Sequence, residues 1–390
     1  MSIDKAPAII IGLDSMQGLQ SARVLASHGI PVIGLAEEKH DHGCHTNVCS
    51  KIVITKTEGK ELIDTLLKLG KTLKQKAVMF TCQEKNVLAV SKERDELKDY
   101  YHIILPEHKI VDVFMDKEKF YEYAINHKLP VPKTFTIKNL SELNEIDSQI
   151  RYPCILKPSS KSSEWIKKTS LKAFAINSKE EFQKIFSEYI HFTDSFIISE
   201  WISGPDTNHF TCNSYFNKNG EELVSYVSRK VRQWPPKTGQ GCFAEEVRND
   251  EVLNLSIKIF KDAGFKGLTY LDLKKDDITG NYFIIEPNIG RPTGRAAMAE
   301  ASGVDYLYTM YCDLLNLPLP ENRKQLYKGV KWMHIRRDLM VFFVLWWKGE
   351  ITFSQWWKSL KGPKVFAVYS KKDPLPFFFD FFRVFKSLFK

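Results

Sequence analysis

The stretch Tyr270–Arg295, YLDLKKDDITGNYFIIEPNIGRPTGR, decides how this chain is read. Two apolar runs flank a polar turn, Lys274–Asn281, the pattern of two antiparallel strands joined tip to tip. Asp272 stands near the end of the first run, and the second run ends in Glu286-Pro287-Asn288. Pairing the strands brings Asp272 and Glu286 together at one end of a sheet. Two carboxylates and an amide oxygen are hard donors, suited to a Mg2+ ion that keeps some water and also holds phosphates. A solvated hairpin with ordinary surface acids has the same pattern, so the surroundings have to decide.

Arg291, Arg295 and a short helix over Ala296–Ala301 follow the hairpin, and a helix over Glu251–Ala263 leads into it. Before that comes Arg229-Lys230-Val231-Arg232, read as a basic strand end, and a glycine loop over Thr238–Gly241. Cations this close can hold anionic substrate groups, arginine by two parallel hydrogen bonds, which makes Arg229 and Arg232 the substrate candidates. A merely solvated strand end is the alternative. Phe196–Ile202 reads as a buried strand running into Ser203-Gly204-Pro205-Asp206. Tyr152–Lys157 is a strand that ends on a lysine, and Lys172–Ile176 is its returning partner. The small-residue loop between them, from Pro158 through Ser159 and Ser160 to Ser163, can fold over phosphates with N–H and hydroxyl donors. Asp116-Lys117 opens a helix that runs to Asn126, with acids at its start as the helix dipole prefers.

At the N-terminus, Ala8–Leu13, a glycine-containing turn, an amphipathic helix and Ile30–Leu35 make a βαβ unit. GLDSMQG over residues 12–18 lacks the close-set glycines of the dinucleotide fingerprint, so NAD is disfavoured while a Rossmann-like layer stands. Lys51–Thr55, Ala77–Thr81 and His102–Leu105 add strands. Gln83-Glu84 sits where such sheets place ligand contacts. His40, His42, Cys44, His45 and Cys49 cluster, but their spacing matches no zinc pattern and a polar loop is the favoured reading. The seven cysteines are scattered and form no CxxC pair, which points to reduced thiols. The N-terminus has no signal-peptide pattern, and no apolar run approaches the length of a membrane span.

With these residues in this order, the chain resembles the ATP-grasp superfamily of carboxylate–amine or carboxylate–thiol ligases over roughly residues 1–320. The resemblance implies a Rossmann-like pre-ATP-grasp domain (1–112), then α+β N-terminal (113–195) and C-terminal (196–320) ATP-grasp lobes that hold ATP between them. Lys117 in the Asp116-Lys117 pair and Lys157 in YPCILKP stand for the two lysines that touch ATP phosphates. EWISGPD resembles the hinge, where backbone around Glu200, Trp201 and Ile202 meets adenine and Asp206 takes the ribose hydroxyls. Asp272, Glu286 and Asn288 fall where the family keeps its ligands to Mg2+, at two sites. Three departures stand out: no glycines follow Lys157, Glu-x-Asn-x-Arg is stretched to EPNIGR, and Tyr270 stands where some peptide ligases carry arginine.

The implied chemistry is ATP-dependent activation of a carboxylate as an acyl phosphate, then attack by an amine. Arg291 or Arg295 would face the oxyanion of the tetrahedral intermediate. The resemblance is to ligases of bacterial surface-polymer pathways, with an amino acid joined to a sugar-acid or polymer precursor. The rival readings are a cell-wall-type dipeptide or D-amino-acid ligase and a non-catalytic nucleotide-binding scaffold.

Residues 321–390 lie beyond that resemblance. They hold 15 Lys and Arg against 5 Asp and Glu, so the formal charge of +9 resides there, and 18 of the 49 aromatic residues. Aromatic and basic residues on short amphipathic segments are the composition of an interfacial anchor on an anionic membrane. Packing on the body is nearly as well supported by that composition, and nucleic acid is disfavoured. The expected location is the cytoplasm, peripheral on the inner membrane face, and a homo-oligomer is compatible with the sequence.

Overall fold

The computed structural model describes residues 5–159, 163–169, 171, 173–237 and 239–388. Ser160, the middle of the small-residue loop, and Thr238 of the glycine loop lie outside the described residues. Strands β1 (Ala8–Ile11), β2 (Val32–Ala36), β3 (Cys49–Ile54), β4 (Ala77–Thr81) and β5 (Tyr101–His102) form a sheet of order β3-β2-β1-β4-β5. All its pairings are parallel. β1, β2 and β4 are buried at every position, because helices cover both faces, and this explains their uninterrupted apolar runs. The strand order reverses between β1 and β4, which opens a crevice there, and Glu84 follows directly after β4.

β6 (Thr134–Ile137), β7 (Cys154–Pro158), β8 (Phe174–Ile176) and β9 (Phe196–Glu200) make an antiparallel sheet of order β6-β9-β7-β8. This small lobe has a core of its own, with Leu156, Trp165, Phe182, Phe196 and Ile198 among its members.

The third sheet has seven strands: β10 (His209–Phe216), β11 (Glu222–Trp234), β12 (Gln240–Glu246), β13 (Gly267–Lys275), β14 (Tyr282–Ile289), β15 (Lys331–Met333) and β16 (Lys364–Phe366). Its order is β14-β13-β10-β11-β12-β15-β16. Side chains alternate across a pleated strand. Cys212, Phe216, Val227, Leu271, Leu273 and Ile284 therefore share one face and pack on Phe260 and Phe265 of the helix Asp250–Asp262 and the turn after it. The registers place Thr211, Ser228, Tyr270, Asp272, Glu286 and Asn288 on the other face.

The boundary expected at residue 112 falls inside the helix His108–Met115, whose Val111 and Phe114 sit in a core shared by the first and third sheets. The C-terminal segment packs on the body, one of the two readings its composition left open: β15 pairs with β12 and β16 pairs with β15, so it completes the large sheet. Phe342 and Trp356 close a small core on Phe243 and Met333. Asp373 binds Arg23 Nε at 2.9 Å and the Asn47 N–H at 3.0 Å, tying the segment to the first domain. His45 stacks on Phe379. The histidine–cysteine loop is thus a seat for the C-terminal segment, and none of its members joins a group with metal-ligand spacing among the described residues. The seven cysteines are all free, and burial pushes the Cys44 and Cys49 thiols up to about 11 and about 12.

Candidate active site

The hairpin β13–β14 sets Glu286 directly opposite Asp272 and Asn288 opposite Tyr270, and β10 sets Thr211 opposite Asp272. Facing pairs in antiparallel strands point to the same side, so a row of polar side chains crosses this face. Thr211 Oγ1 donates to Asp272 Oδ1 at 2.5 Å and accepts from Arg295 at 3.0 Å. Burial pushes the Asp272 carboxyl above its usual range; Arg295, Thr211 and Lys230 oppose this, while Glu286 adds to it. Two carboxylates in such surroundings favour a cation, and their hard oxygens fit Mg2+. Asn288 is less free than expected, since its Oδ1 already accepts from Arg291 at 2.5 Å.

Arg291 is buried and makes two further bonds, to Tyr270 Oη at 2.7 Å and to Glu84 Oε1 at 2.6 Å. Tyr270, at the position noted for its missing arginine, is thus the anchor of another arginine. Burial works to lower the Arg291 pKa, but Tyr270, Glu84, Glu286 and Asp272 together hold it above its ordinary value. Three acceptors fix this guanidinium, so it positions Asn288 and joins the first domain to the large sheet. Arg295 is held more lightly, by Thr211 and, at 3.5 Å, by Ser228 Oγ.

Across the cleft, Lys157 leaves β7 on the face opposite the small lobe's core and donates to Tyr121 Oη at 3.0 Å. Lys117 starts the helix Lys117–Asn126, which Asp116 caps by accepting from the Lys119 N–H, and its ammonium donates to the Pro158 carbonyl at 3.2 Å. Burial and the neighbouring Lys157 charge pull Lys117 below its ordinary pKa, against Glu286 and Glu84. Lys117, Lys157, Tyr121, Glu84, Glu286, Asn288 and Arg291 line one pocket. Paired ammonium groups facing paired carboxylates make a place for a polyanion with bound metal.

The hinge stretch lies where β9 ends. The Glu200 N–H donates to the Lys133 carbonyl at 2.9 Å, and the Glu200 side chain shares a face with Cys154, away from Lys157. The Trp201 ring lies under Lys274 Nζ at 5.2 Å, and the Ser203 N–H binds Asp276 Oδ1 at 3.1 Å, attaching the hinge to the hairpin turn. Ile202 is buried. Asp206 accepts from Gln233 Nε2 at 2.6 Å; burial raises its pKa, with Lys230 and Lys274 opposing. The Ser159 N–H is taken by the Ser195 carbonyl at 3.0 Å, so it extends the sheet instead of facing a phosphate.

The cationic run departs most from expectation. β11 continues to Trp234, so Arg229–Arg232 is mid-strand and not a strand end. Arg229 pairs with Glu245 at 2.7 Å on the face away from Asp272. Arg232 is buried in a two-bond pair with Asp338, at 2.6 and 3.1 Å, and its guanidinium lies over Phe243. Neither arginine reaches the cleft. The residue between them that does is Lys230. It donates to Gln233 Oε1 at 2.8 Å, and burial lowers its pKa to about 8, against Asp272 and Asp206. Strand alternation from Ser228 was the one signal that could have singled it out.

No protein-family model matches the chain. A D-aspartate ligase of Enterococcus faecium (strain Aus0004) is 23% identical over 241 residues, a match covering 58% of this chain and 57% of that enzyme. The matched part is therefore little more than half of the relative's length. The N5-carboxyaminoimidazole synthetase of Staphylococcus aureus superposes with a TM-score of 0.65 at 12% identity, covering 88% of this chain and 85% of its own. The biotin carboxylase domain dimer of Hydrogenobacter thermophilus 2-oxoglutarate carboxylase, solved with MgADP, ADP and bicarbonate, gives 0.62 at 14% identity, covering 83% and 74%. The architecture expected from the sequence is the architecture of these neighbours.

Proposed function

We propose that this chain, which has the ATP-grasp fold, is an ADP-forming ligase joining a carboxylate to an amine. The observation that carries the reading is the pocket between the lobes, where Lys117 and Lys157 face Glu286 and Asn288 beside Asp272. ATP would lie with its phosphates on the two lysines, its adenine against backbone of Glu200–Ile202 and its ribose on Asp206. Asp272 and Glu286 would hold two Mg2+ ions, with Asn288 sharing its oxygen with Arg291. Mg2+ bound there neutralises charge on the transferring phosphoryl group.

A carboxylate oxygen of the first substrate attacks the γ-phosphorus and ADP leaves. The nitrogen of the second substrate then attacks the acyl carbon, and phosphate leaves as the amide forms. Arg295 and Lys230 are the cations placed to face the acyl phosphate and its oxyanion. Arg291 holds Asn288 and Glu84 in place. An amino acid is the proposed amine, given the D-aspartate ligase relative, and Lys230, Lys274 and Arg295 on one sheet face suit a substrate that keeps a second carboxylate. Among the described residues no helix is long and apolar enough to cross a membrane; we place the enzyme in the cytoplasm, peripheral on the inner membrane face.

The test is ADP release from MgATP with candidate amino acids, D-aspartate among them, paired with sugar-acid and peptide carboxylates, and mass detection of the amide. Stoichiometric ADP and amide are expected. Tight ATP binding with no substrate-dependent ADP release would leave the nucleotide-binding scaffold as the correct reading.

A further inference from the structure

We infer that the corner formed by the helices Ile335–Trp347 and Phe353–Ser359 is a docking face for an anionic phospholipid bilayer. The corner has two sides. Inward, Asp338, Phe342 and Trp356 are buried; Asp338 holds Arg232 and also accepts from Trp356 Nε1 at 2.9 Å. Outward, Phe343, Trp346, Phe353 and Trp357 are 54–57% exposed, and Trp347 is 90% exposed. Four of these rings are joined through Phe342, which contacts Phe343, Trp346 and Phe353, and Phe353 stacks on Trp357. Five exposed aromatic residues on one rigid corner exceed what a surface in water carries by chance.

The composition selects the occupant. Lys348, Lys358 and Lys361 are exposed within the same stretch, where Glu350 is the one exposed acidic residue. The buried centre of a protein interface is depleted in lysine, whereas tryptophan with lysine belongs to the water–bilayer boundary, where rings sit at headgroup depth and ammonium groups meet lipid phosphates. A ring standing as clear of its own protein as Trp347 needs a medium that closes around it. The helix Ile335–Trp347 has 13 residues, too short to span a bilayer, so the corner lies on the surface and does not cross it. The inner side grips β11, so a docked corner holds the cleft at a set orientation to the membrane.

The full-length protein should sediment with vesicles of phosphatidylglycerol and phosphatidylcholine at low salt and stay in solution with phosphatidylcholine alone. Its tryptophan emission should shift to the blue on binding. Trp346→Ala, Trp347→Ala and Trp357→Ala combined should lower the bound fraction about tenfold or more with an unchanged far-UV spectrum. Reversing Lys348, Lys358 and Lys361 to Glu should do the same without touching a ring. Equal sedimentation of the native protein and both variants would overturn the inference. So would a native dimer that the tryptophan substitutions dissociate while anionic vesicles leave the emission unchanged, since the face would then be a protein interface.

Discussion

The hairpin β13–β14 and the strand β11 lie in one sheet with β10 between β13 and β11, and both carry charged runs. In the hairpin, Asp272 and Glu286 face each other on the cleft side, at the positions a simple two-strand pairing gives them. In β11, two of the three cations leave the cleft: Arg229 goes to Glu245 and Arg232 to Asp338. Arg229 leaves by ordinary alternation, and for Arg232 the difference lies in regularity. The hairpin's irregularity falls just past Asp272, leaving its acids in phase, whereas β11 has register shifts on either side of Arg232. A bulge bends the strand and re-aims the side chain beyond it. Charge density thus marks both strands, but phase decides which charge faces the cleft.

The largest effect is expected from Asp338→Ala. Arg232 would be left buried without its counter-charge, a loss of about 3–5 kcal/mol seen as an earlier urea midpoint. Unchanged stability would remove Arg232 from the structural side. Glu286→Gln tests the hairpin. Turnover should fall about 10²–10³-fold, with the unfolding midpoint nearly unmoved because Glu286 is exposed; a fall under about tenfold would strip the hairpin of its metal role.

Lys230→Met should cost about 10–100-fold in kcat/KM, less than Glu286→Gln, since one of several cations is lost. Lys230 also gives a pH signature. Its folded pKa of about 8 lies below the unfolded value of about 10.4. Between these values the unfolded chain binds more protons, so the Lys230 contribution to stability rises as pH goes up through that window. Anion binding runs the other way: kcat/KM should fall above about pH 8 as the ammonium loses its proton, and Lys230→Arg should carry that limb upward. Arg229→Ala is the smallest effect. It breaks a part-exposed pair worth less than about 1 kcal/mol and should leave KM unchanged.

Local pattern was enough to set Asp272 opposite Glu286, Lys117 behind its Asp116 cap and Lys157 near the end of β7. Each lies at the end or pairing position of a short element whose period is plain. The surroundings of Asn288 were less legible, because the arginine bonded to its oxygen is itself held by Glu84, at the start of a helix some two hundred residues earlier. The partner of the Ser159 amide was illegible for a similar reason, as Ser195 claims it from across the sheet.

The order of elements, the small lobe and the carboxylate hairpin are written locally, because hydrophobic period and turn chemistry act over a few residues. Only the tertiary structure decided what depends on distant partners. It placed the aromatic and basic segment as two strands of the large sheet, made the histidine–cysteine loop its seat, and sent Arg232 inward to Asp338. Those choices are settled by which residues, far apart in the chain, bury one another's charge and apolar surface, and no window of local sequence contains both partners.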